Sequence, residues 1–171
     1  GNYGKAVSKV TGILKGFGAT LLAAFSFQAI KGFFTSSISA FQSQEKAVAK
    51  VNQALKSTKN SAGKTSEELQ KLASDLQSTT LFGDEDILNN ATAQLLTFNN
   101  IAGTNFARTQ IVALDLSTVF DGYLKSASIQ LGKALNYPVA NLSALSRSGF
   151  QFSESQKQVI KSLTESGKLA E

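Results

Sequence analysis

The chain has 171 residues, with 17 Lys and Arg against 12 Asp and Glu, a formal net charge of +5 and a sequence pI near 9.5. It contains no Cys, His, Trp or Met and a single Pro. That composition excludes disulfide and thiol chemistry and leaves a transition metal only carboxylates, a poor donor set.

The length suffices for one domain with a real core, and the missing initiator Met leads us to expect a processed product or part of a longer chain. The first third carries Lys5, Lys9, Lys15, Lys31, Lys46, Lys50, Lys56, Lys59 and Lys64 against one acid, Glu45. This asymmetry suits an anionic surface, or simply a solvated helix face. Arg occurs only at Arg108 and Arg147, so sequence-specific nucleic-acid reading is not expected.

Abundant Ala, Ser, Leu, Lys, Gln and Asn, and the lack of period-two alternation, predict an all-α chain: a long amphipathic helix with coiled-coil character, then a compact multi-helix unit. Residues 1–60 read as one apolar helical track, 61–65 as a linker and 66–171 as a helical domain. In the track, Val7, Val10, Leu14, Phe17 and Leu21 follow 3-4-3-4 spacing. After a stutter, Phe34, Ile38, Phe41, Glu45, Val48, Asn52 and Leu55 resume it. The ten apolar members form a candidate self-association stripe, with Glu45 and Asn52 either fixing register or marking its edge. Gly16 to Ile30 carries no charge and is bounded by lysines, but is shorter than the ~20 residues a spanning helix needs. Leu21, Leu22, Phe25, Phe27 and Ile30 are its candidate membrane contacts.

STKNSAGKT, residues 57–65, reads as a hinge. Thr65-Ser-Glu-Glu68 is a capping box opening a helix with the stripe Leu69, Leu72, Ala73 and Leu76. Asp84, Glu85 and Asp86 open the next, complementing its dipole, with Ile87, Leu88, Ala91, Leu95 and Phe98 as its buried face. One longer helix is expected from about Asn105 to Leu135, with Phe106, Ile111, Leu114, Val119, Leu124 and Leu131 as core. Pro138 ends that run, Asn141 is expected to cap LSALSRS, and Gly149 to stop it. Ser153 to Gln156 is a second capping box; it starts a helix with the stripe Val159, Ile160 and Leu163, stopped at Gly167.

No candidate chemistry outweighs these structural roles. The acids 84–86 lack the EF-hand pattern. Asp115 and Asp121, six apart, point to different faces of one helix. Gly63-Lys64-Thr65 lacks the first glycine of a phosphate loop, since position 58 is Thr58. Ser153 and Lys157 could be read as a Ser–Lys pair, but Ser153 is spent as a cap. No catalytic residue, no metal site and no cofactor is expected.

Three ordered pieces carry a resemblance. They are LASDLQSTTLFGDEDILNNATAQLLTF, then ALDLSTVFDGYLKSASIQLGKALNYP, then LSALSRSGFQFSESQKQVIKSLTESG. In this order and spacing, Ser66 to Leu169 resembles the tail-length tape measure proteins of long-tailed phages and prophages. Tyr137 before Pro138 departs from the acid more usual there.

The resemblance implies a non-enzymatic virion component, a fragment of a longer tape measure. It would lie in the tail-tube lumen, set tail length during assembly in the host cytoplasm and aid genome ejection through the envelope. The implied partners are copies of itself, with a trimer favoured, the tail tube, distal tail and baseplate proteins and tail assembly chaperones. The alternative is a membrane-active helical protein, a pore former or secreted effector, in which Gly16 to Ile30 meets lipid.

Overall fold

The computed structural model describes residues 27–119, 123–147 and 149–167, with side chains for all of these except 27–31, 34 and 144. Among them the chain is all-helical, with no strand. Helix α1 is Phe27–Ser57, α2 Ser66–Gln77, α3 Asp84–Asp86, α4 Ala93–Leu95, α5 Thr104–Val119, α6 Leu124–Asn136, α7 Pro138–Arg147 and α8 Glu154–Glu165. Between α3 and α4, Ile87–Thr92 forms a π-helical segment, so residues 84–95 run as one helix with a wide middle.

Contacts divide the chain into two compact units, Gly1–Gln42 and Ser43–Glu171. The segment 61–65 expected as a linker is instead packed. Ala62 is buried, its carbonyl accepts from Gly103 N at 3.0 Å, and Asn60 Oδ1 accepts from Lys64 N at 3.1 Å. Small, hydrogen-bonding residues read as flexible; here the same properties let the turn close against a neighbouring loop. The expected track also ends differently, because Ala47, Val51 and Ala54 of α1 join the core of the second unit.

That core gathers around the central helical run 84–95. Ile87, Leu88, Ala91, Ala93, Leu95 and Leu96 are all buried, with Leu69, Ala73 and Leu76 of α2 among their partners. Both capping boxes form: Thr65 Oγ1 accepts from Glu68 N at 3.2 Å while Glu68 accepts from Thr65 N at 2.8 Å, and Ser153 and Gln156 repeat the exchange. Asp84, Glu85 and Asp86 occupy the first turn of α3, where negative charge meets the positive helix end.

The single helix expected from Asn105 to Leu135 is two, α5 and α6, packed on each other. Tyr123, just before α6, has φ −75° and ψ 65°, outside the helical region. Gly122 in the interval is among the poorest helix formers. The split moves the buried face of α5 to Phe106, Thr109, Gln110, Ala113, Leu114 and Ser117. Ile111 and Val119, expected in the core, are exposed, and Leu131 is half-buried.

The start of α6's last turn lies close to its neighbours at Gly132, which sits under the Phe98 ring. After α6, Pro138 is the first residue of α7, a position where its missing N–H costs nothing. Asn141 therefore sits inside α7 rather than capping it, and its Nδ2 donates to Lys133 O at 2.7 Å, satisfying the end of the preceding helix.

Candidate functional site

The self-association stripe falls partly on described residues. Val7, Val10, Leu14, Phe17 and Leu21 lie outside them, and Phe34 is placed by its backbone in α1. In the first unit Ile38 is 48% and Phe41 53% exposed, and Phe33 is more exposed still. In the second unit Val48 and Leu55 pack partly buried against the core of their own chain. The line that enters this core most deeply is Ala47, Val51 and Ala54, one position round the helix from the stripe. Glu45 and Asn52 are exposed, at the edge of the packed face.

Of the candidate membrane contacts, Leu21, Leu22 and Phe25 lie outside the described residues, and Phe27 and Ile30 are placed by backbone alone. Among the described residues, no helix is long and apolar enough to cross a membrane. Asp115 is exposed on α5, and Asp121 lies outside the described residues. No group of three or more carboxylates that could hold a metal is found among the described residues.

Polar features of the second unit carried little sequence signal. Lys50 of α1 reaches the π segment, where Nζ donates to Asn89 O at 2.8 Å and to Asn89 Oδ1 at 2.7 Å. Burial holds its ammonium below the usual lysine range, and the charge of Lys125 adds to the effect. Inside, Thr92 Oγ1 donates to Gln110 Oε1 at 3.1 Å; both residues are buried. Gln110 Nε2, Ser117 Oγ and Ser128 Oγ are buried without a partner. Nothing in the sequence marked them, because Gln110 sits at a spacing that an apolar residue would also satisfy.

Two concavities open on the α5–α6 side. One, of about 210 Å³, is lined by Leu116, Tyr123, Ala127, Leu131, Leu145 and Phe150, with Ser126 and Gln130. The other, of about 490 Å³, is shallower and includes Asp86, Asn90, Tyr123 and Lys125. The lining of the second also includes Ser126. At the end of α2, Leu81 stands 87% exposed at a turn. Among the described residues the chain presents exposed apolar side chains and a hydrogen-bonded polar pair in its interior. No protein-family model, no curated protein and no solved structure matches this chain.

Proposed function

We propose that this chain is a structural part of a phage tail tape measure protein, acting by length and packing without catalysis. What supports the reading most is the placement of helices on the three ordered sequence pieces. The first piece carries the second half of α2, a turn reaching Gly83 and the helical run 84–95, which opens on three acids. The second holds the end of α5 and all of α6, which ends just before Pro138, and the third holds the second half of α7 and all of α8 with a capping box between them. In this reading the ruler is the track and α1 as far as Gln42, and copies associate there along the stripe, as a trimer, in the lumen of the tail, while Val48 and Leu55 pack on their own chain. The second unit is then a folded station on the tape, in contact with the tube or the distal tail.

Length is the property to measure. Duplicating the 31 residues of α1 in the parent phage should lengthen the tail by about 46 Å, at 1.5 Å per helical residue. Tails imaged by electron microscopy at unchanged length would sink the proposal. Release of dye from vesicles by the intact chain, with tail length unaltered, would favour a membrane-active protein instead.

A further inference from the structure

We infer that α1 sets the winding of the central helical run from outside, with Lys50 as the positioning residue that fixes the π turn at Asn89.

The buried positions of the run come in pairs four residues apart: Ile87 with Leu88, Ala91 with Thr92, and Leu95 with Leu96. An α-helix turns every 3.6 residues, so in pure α winding this stripe would drift around the axis by about 80° over its two intervals. One wide turn takes up the drift. The core therefore requires such a turn in the run, but the even spacing of the pairs leaves its place open.

Lys50 supplies the place. Its Nζ donates to Asn89 O at 2.8 Å and to Asn89 Oδ1 at 2.7 Å, and Gln94 Nε2 donates to the same backbone oxygen at 3.3 Å. Asn89 O is the acceptor that Ala93 N would use in an α-helix, four residues back. A carbonyl oxygen has two lone pairs, and here two side-chain donors take them. Ala93 N instead donates to Leu88 O, five residues back, and to Ala91 O. A side chain inserted into the backbone ladder breaks it in this way, and an ammonium donor makes the stronger bond.

Lys50 stands in α1 between Ala47 and Val51, both of which join the core. The seating of α1 thus carries the ammonium to Asn89 and the winding follows. The same turn ends at Thr92, whose hydroxyl donates to Gln110 Oε1 of α5 at 3.1 Å, so α1 and α5 are linked through it.

The test reads the hydrogen bond of Ala93 directly, by the scalar coupling across it in NMR spectra of the full chain labelled with 15N, 13C and 2H. In the native chain Ala93 N should couple to the carbonyl carbon of Leu88 and not to that of Asn89. Lys50→Met keeps an apolar stem and removes the ammonium. In it the Leu88 coupling should be lost and a coupling to Asn89 appear, with the helical circular dichroism unchanged. Lys50→Arg, which keeps a cationic donor, should retain the native coupling, and so should Lys46→Met, at an exposed position of α1. A coupling to Asn89 in the native chain, an undiminished Leu88 coupling in Lys50→Met, its loss in Lys50→Arg or Lys46→Met, or a collapse of the helical signal in Lys50→Met would each overturn the inference.

Discussion

Gly132→Ala sets two effects of opposite sign against each other. In a helix interior, Ala is favoured over Gly by about 0.8–1 kcal/mol, so α6 taken alone would be strengthened. At this position, however, the added Cβ would lie 2.8 Å from Cζ of Phe98 and closer still to its Cδ2 and Cε2. Carbon atoms in contact sit at roughly 3.5–4.0 Å, so the ring or the helix must move by an ångström or so. The ring is half-buried against the core, so moving it gives up part of that contact. Phe98 N donates to Leu95 O at 3.0 Å, its carbonyl accepts from Ile101 N at 3.1 Å, and its side chain packs on the core. Overpacking of this kind costs typically 1–3 kcal/mol, and part of the ring's burial is lost as well. The loss outweighs the gain, and the net expected destabilisation is about 1–2 kcal/mol, or a melting temperature lower by roughly 2–8 °C for a chain of this length. Urea unfolding followed by circular dichroism measures it. The control is the same substitution beside Phe98→Ala: with the ring gone, Gly132→Ala should stabilise by about 0.5–1 kcal/mol. Stabilisation by Gly132→Ala with Phe98 intact would refute the argument.

The two capping boxes should differ in consequence. Thr65→Ala should cost about 1 kcal/mol in global unfolding, because α2 buries Leu69, Ala73 and Leu76, whereas Ser153→Ala should mainly speed amide exchange in α8, which fully buries no residue. Gln110→Leu alone leaves the Thr92 hydroxyl without its buried partner and should destabilise by about 1–3 kcal/mol, while the double change with Thr92→Val should restore most of that loss in chemical denaturation. Lys50 is held below 10.5, so in the window between its folded value and 10.5 the unfolded chain binds more protons than the folded one. Its contribution to stability must therefore rise with pH across that window; alkaline unfolding curves of Lys50→Met should lack this rise.

Local sequence signals carried the helix ends well, because capping is a property of four consecutive residues. Thr65 to Glu68 and Ser153 to Gln156 needed no tertiary information. The apolar stripes of α2 and of the run 84–95 were legible for the same reason. The α5–α6 region was not: Ile111, Val119 and Leu131 fit one long periodicity as well as two shorter ones, and only packing chooses between them. The core role of Ala47, Val51 and Ala54 was hidden because alanines blend into any helical face, yet their size is what lets a neighbouring element approach. Of the candidate self-association stripe, the apolar spacing was visible. The cavity was not, since Leu116, Leu131, Leu145 and Phe150 are brought together by turns that separate them in sequence.

The π segment Ile87–Thr92 carries one consequence for how this chain tolerates change. A π turn closes its bonds five residues apart where an α turn closes them four apart, so it amounts to an α-helix holding one surplus residue. Elsewhere in a helix, losing a residue rotates everything beyond it by about 100° and turns a buried face outward. Between residues 87 and 92 the same loss would let the turn tighten into an ordinary one, leaving α4 and Leu96 close to their present seats. Exposed Asn89 is the natural residue to lose. Its departure would release Lys50 from two acceptors while sparing the apolar contacts around it. Length variation among descendants of this sequence should therefore collect in the middle of its most buried helix, not only in its loops.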